Sequence, residues 1–371
     1  MIKISLDEYK KSSKYLYLFD VVIKERTFYN KDAFLSSLEI APTSYRRARS
    51  TEQNIGFEIV GKLAEYFNLK NIDDNFIEEI EKMVNEVFFD VNYKVYKKYD
   101  KHLMMIEELL KENYVVYPIL KLLKLFLNLF SNGSIPKLKE ENKEEYIEIQ
   151  RYYHFFSEPL KEIYDLIMLV YSDTFSKETL AKQYSNGIYY SIIAINYRRE
   201  KEHYKSLYFA QKAKDIFIQE NNYKRTLIMN FTILNNLAST SNYNDYYKLA
   251  HGQYLSISSL ELEESERINA LKHLVCSCVA TKKYQDVFLY LVDRKSLTLT
   301  EIMCLIIAGY YTMNKAAFNT WFSEILIKNE NYKYTLDNLI DYLEKPEKGK
   351  LHNFTEKEIM ASLIDILSDF N

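Results

Sequence analysis

The sequence predicts an all-α protein, and three observations carry that prediction. Glycine and proline together number only 12 in 371 residues, too few for the many turns of a sandwich or barrel. Long helices joined by short polar turns need few of either. No strand-like alternation competes with helical spacing along the chain, and an internal period runs through the second half.

Composition narrows the class further. Apolar residues make up 47% and charged residues 27%, the balance of a soluble globular chain, and the length allows more than one domain. The abundance of tyrosine, phenylalanine, lysine and asparagine matches AT-rich codons, so single tyrosines or asparagines carry little weight alone. Cys276, Cys278 and Cys304 form no disulfide framework and fit a reducing cytosol. Cys276-x-Cys278 has no second Cys/His pair at ligand spacing, so neither a metal nor another cofactor is expected. The opening "MIKISLDEYKKSSK" is charged from the start and lacks a cleavable signal pattern, which makes a cytoplasmic location the expectation. The most apolar run, Val115 to Phe130, spans 16 residues and contains Lys121 and Lys124. Crossing a bilayer takes about 20 residues. A buried helix is the better reading, and no membrane partner is expected.

Taken in order, residues 1–70 hold four predicted helices and 12 Lys/Arg against 9 Asp/Glu, a net charge of +3. The chain as a whole is −3, so the other 301 residues are −6. A small basic module followed by a mildly acidic body is implied. Leu6 to Lys24 is the first helix, and Asn30 to Leu38 the second, with Asn30 as N-cap. Pro42 opens the third, "PTSYRRARS", and Ile55 to Leu69 forms the fourth. A boundary near Asn71 separates this module from a second domain, residues 74–371. That domain begins with helices over Phe76–Tyr99, Lys101–Glu112 and Val115–Phe130, then a polar loop, "SNGSIPKLKEENKE".

The third helix gathers Arg46, Arg47 and Arg49 with no acid beside them. In "AFLSSLEIAPTSYRRAR", Phe34, Leu38, Ile40, Tyr45 and Ala48 occupy the apolar positions of a helix-turn-helix, whose second helix lies in the major groove of duplex DNA. Thr43, Ser44, Arg46, Arg47 and Arg49 are left to solvent or DNA. Hydroxyls and amides at a helix start hold phosphates, and an arginine fork reads guanine. Such motifs favour glycine in the turn, where this chain has Glu39, and a small residue where it has Leu35. A structural three-helix scaffold with merely solvated arginines is the plainer alternative.

The internal period sits in "KEHYKSLYFAQKA", "TSNYNDYYKLAHG" and "TKKYQDVFLYLVD", whose tyrosines Tyr204, Tyr243 and Tyr284 are spaced 39 and 41. Each unit ends one helix, turns at a polar dipeptide and begins another. Stacked hairpins of this kind bury a continuous core and leave a concave groove. The stretch "YKSLYFAQKAKDIF" resembles the second helix of a tetratricopeptide repeat, with Ser206, Ala210 and Ala213 at small-residue packing positions. The predicted architecture is therefore a helix-turn-helix domain followed by a superhelical array of tetratricopeptide-like hairpins.

That combination resembles the peptide-pheromone receptors of Gram-positive bacteria and their phages, the group abbreviated RRNPP, which includes the arbitrium receptors. The resemblance implies a dimeric transcription regulator that binds an operator in duplex DNA and a short signalling peptide in the repeat groove. Family members hold peptide main chain with asparagines on successive first helices, since an amide both donates and accepts. Eight positions before each repeat tyrosine stand Asn196, Asn235 and Cys276, with Asn236 adjacent should the register shift by one. Residues seven and four positions earlier share that face and complete the candidate site: Tyr189, Ile192, Phe231, Asn269 and Lys272. The −6 body favours an uncharged or basic peptide. A homodimer contact is expected near "LIDYLEK" or Ile359–Phe370, although the apolar spacing of the latter equally suits a last helix capping its own array.

An enzyme is not expected, because Gly-rich phosphate loops, zinc-type histidine pairs and a nucleophile elbow are absent. The competing function is a helical-repeat sensor whose N-terminal bundle no longer touches DNA and which inhibits a partner protein.

Overall fold

The structure is a computed structural model, and it describes residues 4–26, 30–50, 56–93, 95, 98–130, 143–171, 186–257, 264–294, 296–345 and 359–369. Among these residues the fold is helical, with one isolated bridge between Lys70 and Tyr114. The helices are α1 (Ser12–Arg26), α2 (Lys31–Ser37), α3 (Pro42–Ser50), α4 (Phe57–Tyr66), α5 (Asp74–Asn92), α6 (Tyr99–Lys111), α7 (Tyr117–Phe130), α8 (Lys143–Gln150) and α9 (Glu158–Tyr171). They continue as α10 (Gly187–Arg199), α11 (His203–Gln219), α12 (Tyr223–Ser239), α13 (Tyr243–Ile257), α14 (Glu264–Ala280) and α15 (Tyr284–Leu291). The last are α16 (Leu299–Thr312), α17 (Lys315–Lys328), α18 (Lys333–Glu344) and α19 (Ala361–Ser368).

The chain divides into two compact units, Met1–Ile192 and Ile193–Asn371. The boundary expected near Asn71 therefore falls inside the first unit. Within that unit, contacts join the first 26 residues to later helices. Ile4 exchanges hydrogen bonds with the Asn85 side chain, the Leu6 amide donates to Glu81, and Arg151 pairs with Glu25 at 2.9 Å. The predicted first helix also begins later than expected. A 3-10 turn covers Asp7–Lys10 and places Tyr9 in the core before α1 starts.

Within this unit α1 packs on α3 and α4, and α2 on α3. The Asn30 side chain caps α2 by accepting from the Asp32 amide. The apolar run Val115–Phe130 becomes α7, which packs against α5, α6, α8 and α9 and has Ile119, Leu120, Leu122, Leu123, Leu125, Phe126 and Leu127 fully enclosed. Each such side chain contributes roughly 1.5–3 kcal/mol on burial. Its two lysines face acids rather than lipid, Lys121 meeting Glu148 and Lys124 meeting Glu145 and Glu107. No helix among the described residues is long and apolar enough to cross a membrane. The polar stretch after α7 lies, through residue 142, outside the described residues.

In the second unit successive helices pack in order, α11 on α12, α12 on α13, α13 on α14, and α14 on α15 and α16. Tyr204, Tyr243 and Tyr284 stand at the starts of α11, α13 and α15, and Ser206, Ala210 and Ala213 are buried along α11. The turns before those tyrosines share one backbone design. Lys201, Ser241 and Lys282 have φ of 62°, 55° and 59°, the left-handed region. The next amide reaches back to close the helix end: Glu202 to the Tyr197 carbonyl at 2.9 Å, Asn242 to Leu237 at 2.9 Å and Lys283 to Cys278 at 2.8 Å. This is the Schellman termination, which satisfies carbonyls that the last helical turn leaves unpaired.

Candidate functional site

The α2–α3 turn uses the same device. Glu39 has φ 57°, its amide donates to Ser36, and the Ile40 amide donates back to Leu35 at 2.9 Å. Glutamate thus adopts the conformation for which the turn favours glycine. Leu35 is buried, so the interior accepts the larger residue at that position. Tyr45 and Ala48 face inward at 0% and 2% exposure, and the Tyr45 hydroxyl lies 2.8 Å from the Leu16 carbonyl and 2.8 Å from Asp20.

The outward face of α3 divides into two groups. Thr43, Ser44, Arg46 and Arg47 are exposed. Arg46 pairs with Asp32 on α2. Arg49 is half-buried, pairs with Asp20 on α1 at 2.8 Å and stacks over the Tyr17 ring at 4.4 Å. Arg47 carries no ion pair among the described residues and borders a cleft with Ser44, Glu39, Glu58, Ile59 and Lys62. Of the three arginines, Arg47 is thus the one uncommitted cation, Arg46 is exposed but balanced, and Arg49 ties α3 to α1.

The eight candidate peptide-site residues also separate. Tyr189 and Ile192 belong to the first unit and are buried there, with the Tyr189 amide donating to the Asn186 side chain. In the second unit Asn196 and Asn235 are half-buried, Lys272 is half-buried and Asn269 is exposed. Asn235 donates its amide to the Phe231 carbonyl in its own helix at 2.9 Å. Phe231 stacks on His273 of α14 with ring centroids 5.6 Å apart and packs against Leu227, Ile257 and Ala270. Asn236 turns the other way. It is fully buried, donates to the Ser206 hydroxyl at 2.7 Å and to the Thr232 carbonyl at 3.0 Å, and lies 3.2 Å from His203. Its amide joins α11 to α12, and full burial with both N–H donors engaged leaves it no surface to offer a ligand.

Sequence spacing missed a buried polar cluster beside Phe231. His273 lies 3.0 Å from the Tyr246 hydroxyl. Burial, reinforced by the positive charges of Arg198 and Lys272, holds its pKa down to about 3, so the ring is neutral. The Cys276 and Cys304 sulfurs approach to 3.8 Å in the same interior. Burial pushes the Cys278 thiol up to about 12, so it is not a thiolate near neutrality. Among the described residues no His/Cys/Asp/Glu group could hold a metal ion.

The C-terminal helix lies on this same face. α19 packs on α12 and α14. Ser239, one and two turns beyond Asn235 and Phe231 on α12, donates its hydroxyl to Asp365 at 2.5 Å. Asp369 accepts from Ser241 and from the Tyr243 hydroxyl. Ile359, Leu363, Ile366 and Leu367, expected either at a dimer contact or on the chain's own array, are buried within the chain.

Comparison with family models, curated proteins and solved structures finds no match to this chain.

Proposed function

We propose that the chain is a peptide-responsive transcriptional regulator of the RRNPP type, with α2 and α3 as its helix-turn-helix. The observation that carries this reading is the α2–α3 unit: a tight left-handed turn at Glu39, Tyr45 and Ala48 anchored inward, and Thr43, Ser44, Arg46 and Arg47 presented outward. A helix whose first turn exposes two hydroxyls and whose second exposes two arginines suits phosphate contact and base reading. A short peptide would bind along α12 and α14 near Asn235, and a dimer would set the spacing of two such units on an operator.

One observation favours a second reading, a repeat protein that binds and inhibits a protein partner. Asp32 and Asp20 already engage Arg46 and Arg49, which reduces the positive charge α3 offers a phosphate. Salt separates the two functions. Retention of the full chain on duplex DNA should weaken steeply with salt if several phosphates are neutralised. No retention at low salt by a folded chain would overturn the DNA reading.

A further inference from the structure

One face of α12 and α14 is already covered. α19 lies on α12 and α14, and its polar edge is acidic: Asp365 bonds to Ser239, and Asp369 to Ser241 and Tyr243. Its apolar edge buries Leu363, Ile366 and Leu367, a helical stripe. One cation lies within electrostatic reach of that acidic edge. Arg198 is desolvated, and the charge of Asp365 opposes that cost. Asn235 sits one turn before Ser239 and donates its amide to the Phe231 carbonyl of its own helix.

We infer that this face is an exchange site for an acidic amphipathic peptide, and that α19 is the occupant built into the chain. The inference rests on the reading that α12 and α14 receive a peptide, and it specifies what that peptide must do. It replaces α19, so it presents an apolar stripe to the seat of Leu363, Ile366 and Leu367 and a carboxylate to Ser239 and Arg198. This reverses the preference for a basic ligand drawn from net charge, because the groups within reach of the seat decide over a diffuse −6 that salt screens beyond about 8 Å. A tethered occupant competes at an effective concentration of order millimolar, so only a ligand with matching contacts displaces it. α19 then moves relative to α12 and α14, and ligand binding becomes a conformational change without rearrangement of the hairpins themselves.

The test uses a fluorescein-labelled peptide with the sequence Ile359–Asp369 as probe and the full chain throughout. Leu363→Asp places a charge in the seat and should eject α19, so the probe should bind this variant at least ten-fold more tightly than wild type. Ser239→Cys with Asp365→Cys should form a disulfide that fixes α19; the oxidised chain should not bind the probe, whereas the reduced chain should bind it through the apolar seat and Arg198, more weakly than Leu363→Asp does because the Ser239 contact is gone. Should Leu363→Asp lose helical content, the cysteine pair decides alone. Equal binding to wild type and Leu363→Asp, or to the oxidised and reduced pair, would show a peptide surface elsewhere and overturn the exchange while leaving peptide binding intact. Absence of binding to every folded form would overturn both the exchange and the peptide reading of this face.

Discussion

Tyr9 and Phe155 are joined twice, although 146 residues separate them. The Tyr9 hydroxyl donates to the Phe155 carbonyl at 2.9 Å, and the two rings meet edge to face at 5.1 Å. The same oxygen accepts from the Ser157 amide at 2.9 Å. Removing it leaves a buried carbonyl and a buried amide without partners, at about 1–3 kcal/mol for each unsatisfied group. Tyr9→Phe should therefore lower unfolding free energy by a few kcal/mol while keeping the ring contact. The check is urea unfolding of the full chain, and an unchanged midpoint would mean the bond does not hold the N-terminal segment in place.

The arginines of α3 should behave differently from one another. Arg47→Ala should leave stability unchanged and reduce the salt slope of DNA binding by about one. Arg49→Ala should destabilise the fold, because it leaves Asp20 without that cation and uncovers Tyr17. Thermal melts and salt titrations on both variants test this pairwise. If Arg47→Ala binds DNA as wild type does at every salt concentration, α3 does not read DNA in this orientation.

The left-handed turns predict gains in stability. A residue other than glycine at such a φ costs roughly 1–2 kcal/mol, partly offset by the unfolded-state entropy that glycine adds. Lys282→Gly and Glu39→Gly should each stabilise by roughly 0.5–1 kcal/mol net. Glu39→Gly also removes a negative charge beside Arg47 and should strengthen DNA binding at low salt. A fall in melting temperature for both variants would contradict the assigned turn geometry.

His273 gives the chain a defined acid response. Its folded pKa of about 3 lies below the usual value of 6.5, so the unfolded state binds the extra proton first. Its contribution is present in full above pH 6.5 and declines as pH falls toward 3. The slope approaches about 1.4 kcal/mol per pH unit where one proton separates the two states. Denaturation midpoints from pH 7 to 4 should fall less steeply in His273→Gln than in wild type. Parallel curves would show that this imidazole is not held neutral.

Much of the fold was legible because helix ends write local signals. Asn30 caps where its spacing predicted, Pro42 opens α3, and three turns fall just before Tyr204, Tyr243 and Tyr284. Long-range pairing left no such trace. Nothing around Arg49 announces that Asp20, 29 positions earlier, will engage it, and nothing in "LIDILSD" states which helices it covers. Asn235 and Asn236 show the finer limit. Adjacent helical residues point about 100° apart, so one position separates a half-exposed amide from a fully enclosed one. Tyr189 illustrates a further loss, since the spacing that aligned it with Asn196 did not reveal that it packs into the other unit.

Lys201, Ser241 and Lys282 share a dihedral angle, although a serine stands between two lysines. The repeat they mark is a rhythm of shape, 40 and then 41 residues long, that serine keeps as well as lysine does. Any unbranched polar residue keeps time there at modest cost, whereas a valine or isoleucine would not. Such positions can drift through many codons while each helix still stops on schedule. Two chains of this kind could superpose hairpin for hairpin and share few identities at their turns.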